Sequence, residues 1–151
     1  MDEPRFSGYV EELDYFLRHV SAIVRQRGRS ILSDFDITPP QFNALIQLRD
    51  GRNLTMGELC EKLFLASSTV TDLIDRMEKN GLVERVRDPE DRRAIRLKVT
   101  DKGRDIVKRV MAARHVYLTA IMDKVVTGER ENLLVALKHL YNLMQEEAPG
   151  K

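Results

Sequence analysis

Near the middle of the chain two helical patterns stand only three residues apart, and a link that short forces the second helix to turn sharply against the first. Thr55 and Glu58 have the reciprocal capping spacing that opens a helix over Met56 to Leu63. Phe64, Leu65 and Ala66 form the link. A second helix is predicted over Ser67 to Lys79, closed by Asn80-Gly81, where glycine supplies a left-handed stop. Upstream, Thr38 before Pro39 reads as a cap and first helical position, and Phe42, Leu45 and Leu48 follow at helical spacing until Asp50-Gly51. The two short helices are a helix-turn-helix.

Beyond Gly81 the period changes from helical to two. Leu82 to Val86 and Ala94 to Val99 alternate apolar and polar residues, with Asp88-Pro89-Glu90-Asp91 as the turn between two strands. Thr100 then caps a long helix starting near Asp101. The order helix, helix, hairpin, helix predicts a mainly α fold with a small β-hairpin wing, an α+β winged helix-turn-helix.

The two ends are more uniform. Leu13, Leu17, Val20, Val24 and Ile31 recur at helical spacing and predict one long helix, roughly residues 9 to 33. Ile106, Val110, Ala113, Tyr117, Ile121 and Val125 trace a second stripe. Leu133, Leu137, Leu140 and Met144 trace a third, on a helix expected to open at Glu129 after a Thr127-Gly128 break. Three long helices with single apolar stripes exceed what a small monomer can cover, so an interface between copies is expected. The chain then divides into a dimerisation helix (1–36), a winged helix-turn-helix region (37–100) and C-terminal dimerisation helices (101–151), within one continuous domain.

Composition narrows the function. With 151 residues, 42% hydrophobic and 32% charged, the chain suits one soluble domain. It shows neither a basic-then-apolar leader pattern nor an apolar run near the roughly 20 residues that span a bilayer, so no membrane association and a cytoplasmic location are expected. A single cysteine, Cys60, excludes an intramolecular disulfide and any zinc or redox cysteine pair. Net charge is only +1, so an electrostatic footprint must be local. Between Arg85 and Lys98 six basic residues (Arg85, Arg87, Arg92, Arg93, Arg96, Lys98) oppose three acidic ones (Asp88, Glu90, Asp91). Such a run suits phosphate contact, and equally suits a solvated face.

On the 67–79 helix, Val70, Leu73, Ile74 and Met77 share one arc at 100° per residue. The opposite side carries Ser68, Asp72, Asp75 and Lys79, flanked by Thr69, Thr71 and Arg76. Small hydroxyls near a helix start suit entry into a major groove, and Arg76 can reach a phosphate. Taken alone, this is also what an ordinary amphipathic helix looks like. Arg92 and Arg93 beside the turn suit a narrow minor groove, with Asp91 placed to hold a guanidinium. In a lone hairpin they would be solvated charges.

From Leu54 to Gly103 the sequence LTMGELCEKLFLASSTVTDLIDRMEKNGLVERVRDPEDRRAIRLKVTDKG resembles the MarR (multiple-antibiotic-resistance regulator) winged-helix family. STVTDLIDRMEKNGLV is similar to that family's recognition helix, and DPEDRRA with the VTDKG exit to its wing. The resemblance implies a homodimer held by terminal helices, with two winged domains meeting a pseudo-palindrome in double-stranded DNA. It implies that Arg93 enters the minor groove, that Asp91 braces it, and that Ser68, Thr69, Thr71 and Arg76 touch bases or backbone. Two positions depart from the pattern: Ala66 stands where a capping Ser is common, and Asp72 where a basic or neutral residue is. Asp72 can accept from a cytosine amino group or discourage non-specific binding. Asp75 is expected to pair with a neighbouring arginine.

Other functions lack their residues. An enzyme needs a nucleophile, a base or a metal cluster, and His19, His115 and His139 lie on three different helices with no paired motif. No catalytic residue, cofactor or metal is expected. A winged module used only for protein interaction would keep the fold without specific DNA binding, and the retained Ser68, Thr71, Arg76 and Arg93 argue against it. Cys60 is expected to pack as a small core residue. The resemblance also implies a small, often aromatic or phenolic, effector between the dimer helices and the winged domains; an anionic effector is suggested only by the basic run of the first helix. Arg25, Arg27 and Arg29 suit an anion, though such a run is also a solvated helix face.

Overall fold

A computed structural model of the chain describes residues 8–51 and 53–147. The outer limits of the predicted terminal segments lie outside them. The elements are α1 (Gly8–Ser33), α2 (Pro39–Gly51), α3 (Met56–Leu63), α4 (Ser67–Lys79), β1 (Val83–Arg87), β2 (Ile95–Val99), α5 (Asp101–Met122) and α6 (Thr127–Glu146). The chain clusters into two compact units that divide after Ala112.

Local chemistry fixes most boundaries in the first unit. At the start of α2 the Thr38 N–H donates to Gln41 Oε1 (3.0 Å) and the Gln41 N–H donates to Thr38 Oγ1 (3.4 Å), a reciprocal cap that also gives the side-chain oxygen of the buried Gln41 a partner. Thr55 and Glu58 repeat the device for α3, at 3.2 and 2.7 Å. The α4 helix ends as expected: the Leu82 N–H reaches back to Met77 O (2.9 Å) while Gly81 takes φ +71°. That bond draws Leu82 into the helix end, so β1 begins one residue later than the alternation suggests. Thr100 caps α5, accepting the Gly103 N–H (3.1 Å) and donating to Gly81 O (2.6 Å).

The two strands pair antiparallel, with Val83 opposite Val99, Arg85 opposite Leu97 and Arg87 opposite Ile95. A bridge between Thr55 and Arg96, with the Leu97 N–H donating to Leu54 O (2.8 Å), fastens the hairpin to the segment before α3. Leu45, Leu59, Val70, Ile74, Met77, Val83, Leu97 and Val110 are fully buried. These residues come from α2, α3, α4, both strands and α5, so a single core sets the angle between the helix-turn-helix and the wing. By contrast, α1 buries only Ile31 and Leu32, and leaves Tyr9, Val10, Leu13, Phe16, Leu17, Val20, Ile23 and Val24 exposed.

In the second unit α6 begins at Thr127 and not at Glu129. The first N–H groups of a helix have no partner within it, so Thr127 and Gly128 occupy its opening turn at little cost. Val125, assigned to the stripe of the preceding helix, lies beyond α5 in the turn that the Val125 N–H closes onto Met122 O (3.0 Å). Arg130 donates to Val125 O (3.1 Å) and faces Asp123 at 3.9 Å. No residue of α6 is buried, and Leu133, Leu137, Tyr141 and Met144 stand open.

Among the described residues no helix is long and apolar enough to cross a membrane. Nor does any cluster of three or more His, Cys, Asp or Glu side chains there suit a metal ion.

Candidate nucleic-acid interface

The face of α4 follows from its sequence. Val70, Ile74 and Met77 are buried and Leu73 half-buried, which turns Ser68, Thr69, Asp72 and Arg76 outward. Ala66 at the cap position makes no side-chain hydrogen bond, as its methyl dictates, so the opening N–H groups of α4 have no side-chain cap. Thr71 is only half-exposed, and its hydroxyl proton is already given to Ser67 O (2.9 Å). Toward an outside group it offers a methyl and an acceptor. Asp75 pairs with an arginine, as expected, but the partner is Arg85 of the hairpin at 2.6 Å, and Glu78 binds the same guanidinium. Glu78 also accepts the Arg85 backbone N–H (3.2 Å). Arg85 therefore locks β1 to α4.

The basic run of the hairpin is not uniform. Arg85 is consumed by Asp75 and Glu78, Lys98 by Glu84 across the ladder (3.2 Å), and Arg96 by Asp88. Among the described residues Arg87, Arg92 and Arg93 form no ion pair, and all three are exposed. The unpaired cations thus lie toward the tip, among the exposed carboxylates Glu90 and Asp91.

Asp91 holds Arg93 by a different bond from the one the sequence suggests. Its carboxylate accepts the Arg93 backbone N–H (3.0 Å), not a guanidinium. A carboxylate two residues before an N–H closes a tight ring with its own backbone, and this local geometry wins over a flexible exposed ion pair. The Arg93 side chain is left to point outward from a fixed main chain.

Sequence reasoning missed the residue that organises the tip. Asp88 is 7% exposed and accepts the N–H groups of Glu90 (2.8 Å) and Asp91 (3.1 Å), together with Arg96 Nε. Arg96 in turn donates to Asn53 O (3.1 Å) and lies 3.7 Å from Glu58, which caps α3. The tip is thereby tied to α3 through two side chains. The signal was an aspartate opening a turn, a position that accepts from the N–H groups two and three residues on.

The Arg96 guanidinium, and after it the two backbone N–H groups, holds the Asp88 carboxyl down to a pKa of about 2. The folded state thus binds this proton less tightly than the unfolded chain. Asp88 stabilises the fold above the ordinary carboxylate range, and that contribution is lost as pH falls toward about 2. Urea midpoints measured from pH 7 to pH 2 should fall more steeply for the wild type than for Asp88→Asn. Parallel curves would mean that Asp88 ionisation contributes nothing to folding.

Comparison with known proteins adds the ancestry. A MarR family model matches residues 37–95. The HTH-type transcriptional regulator YsmB of Bacillus subtilis is 44% identical over 134 residues, which cover 87% of this chain and 92% of the relative. A MarR family protein from Bacillus stearothermophilus has a similar structure, with a TM-score of 0.80 and 42% identity over 92% of this chain and 95% of its own. Transcriptional regulator Tm0710 from Thermotoga maritima follows the same path, with a TM-score of 0.76 and 33% identity over 93% of this chain and 99% of its own.

Proposed function

Since this chain belongs to the MarR family of winged helix-turn-helix transcription regulators, which bind DNA and are not enzymes, we propose that it is a cytoplasmic homodimeric repressor of a pseudo-palindromic operator. One observation carries the assignment of the surface. The hairpin neutralises the cations near the body of the domain and leaves Arg87, Arg92 and Arg93 without an ion pair among the described residues. Unpaired cations at an exposed tip support a phosphate-facing wing, and the salt dependence of binding distinguishes them from solvated charges.

In this proposal the N-terminal half of α4 lies in the major groove. Ser68, Thr69 and Thr71 meet base edges or backbone, Asp72 faces a base amino group, and Arg76 takes a phosphate. Arg92 and Arg93 enter the flanking minor groove, where a narrow groove concentrates negative potential. Asp91 and Asp88 hold the backbone from which they project.

Residues 1–36 and 101–151 make the dimer. The uncovered apolar face of α1 supports this, and so, independently, does the exposure of Leu133, Leu137, Tyr141 and Met144 on α6. Release by a small aromatic or anionic effector belongs to the same proposal, with the exposed Arg25, Arg27 and Arg29 of α1 suited to an anion.

Two measurements test it together. Sedimentation at micromolar concentration should give about twice the 17.4 kDa chain mass. Selection from random duplexes should recover sites with dyad symmetry and half-sites about 10 bp apart. A persistent monomer, or recovered sites without symmetry, would contradict the docking.

A further inference from the structure

The link between α3 and α4 holds a residue that the fold does not use. Phe64 is 93% exposed, more than any other large apolar side chain among the described residues. It also sits at φ 54°, ψ 40°, the left-handed conformation that closes α3, with its N–H bonded to Cys60 O and Glu61 O. Glycine or asparagine suits that position; a benzyl side chain strains it. A lone exposed apolar residue is ordinary on a protein surface. A lone exposed aromatic held at a backbone conformation that disfavours it, with no contact in return, is explained by something outside the chain.

Its place in the fold says what that is. Three peptide units separate Phe64 from Ser67, so their Cα atoms lie within about 11 Å of each other. The major groove is about 12 Å wide. With the start of α4 in that groove, Phe64 lies within reach of the groove wall, where DNA offers apolar surface as deoxyribose carbons and thymine methyl groups. Leu65, 40% exposed, extends the same tip, while Lys62 on the preceding turn of α3 is exposed toward solvent and suits the neighbouring phosphate.

We propose that Phe64 is a DNA-contacting residue that packs its ring on the apolar surface of the duplex beside the recognition helix. This rests on the reading of α4 as the groove-entering helix. The contact releases no counterion, so it adds affinity without adding to the salt dependence.

The test uses the full-length protein and a duplex that the wild type has selected from a random pool. F64A and F64G should each bind about tenfold more weakly than wild type, with an unchanged salt slope. F64L, which keeps apolar bulk, should recover most of the affinity. Thermal midpoints should be unchanged for F64A and raised for F64G, since glycine relieves the left-handed strain. Replacing single thymines by deoxyuridine separates the two DNA surfaces. Loss of affinity at one thymine per half-site for wild type but not for F64A assigns the methyl group; no sensitivity to deoxyuridine, with F64A still weak, assigns the sugar. Wild-type affinity in F64A and F64G overturns the proposal and leaves the reading of α4 intact. A wild type that enriches no duplex overturns both.

Discussion

Gly103→Ala should destabilise the protein by roughly 2 kcal/mol or more, although alanine is the better helix former. Gly103 is buried in the first turn of α5. A β-carbon there would press into the Leu82 carbonyl oxygen, stand 2.7 Å from Val99 Cγ1 and lie 3.3 Å from Leu45 Cδ2. The carbonyl cannot swing aside. Leu82 is fixed on both sides, its N–H given to Met77 O (2.9 Å) and its oxygen accepting the Thr100 N–H (3.1 Å). Alanine gains about 1 kcal/mol in helix propensity, while overpacking against a fixed backbone costs about 3 kcal/mol, so the clash decides the sign. Gly57 in α3 is the control, because a β-carbon there meets nothing within 4 Å. Gly57→Ala should be neutral or stabilise by about 0.5–1 kcal/mol. Urea unfolding followed by circular dichroism checks both; equal midpoints for the two variants would mean that the junction of β1 and α5 yields easily.

Arg92→Ala/Arg93→Ala should have the largest effect on DNA binding while leaving the fold intact. Both side chains are exposed and neither forms an ion pair among the described residues, so their removal breaks no internal salt bridge. Each arginine that meets a phosphate or enters the minor groove contributes about one unit to the dependence of log Kobs on log salt concentration. The double variant should therefore lose about two units per wing, weakening binding to selected and random duplexes alike by on the order of a hundredfold at moderate salt. Arg96→Ala should act differently. It removes the partner of Asp88 and the tie to Asn53, so it should loosen the tip and lower stability as well as affinity. If the double variant keeps wild-type affinity and salt slope, the wing is a solvated hairpin.

Most element boundaries were legible because this chain marks them with local chemistry. Caps at Thr55 and Thr100 and the stop at Gly81 act within a few residues, and a sequence displays such spacings directly. The errors arose where a neighbouring element competes. Leu82 alternates correctly for a strand, yet its N–H goes to Met77 O. Thr127 and Gly128 read as a break because both weaken a helix interior, but a first turn tolerates them. The exposed face of α4 was legible from helical geometry alone. The state of the wing cations was not, since Arg85 finds Asp75 and Glu78, ten and seven residues away, only once the hairpin folds against α4. Reading Asp88 as turn punctuation likewise hid the carboxylate that fixes the tip.

In the proposed function the exposed face of α4 and the wing tip together bind the phosphate backbone of duplex DNA, and the salt dependence of wild-type binding tests this most directly. On a duplex selected from a random pool, log Kobs should fall linearly with log salt concentration, with a slope of about −0.9 for each phosphate neutralised. Arg76, Arg87, Arg92 and Arg93 from two subunits make that a total slope of about −7. A slope near zero, or no binding to duplex DNA at low salt, would contradict the account.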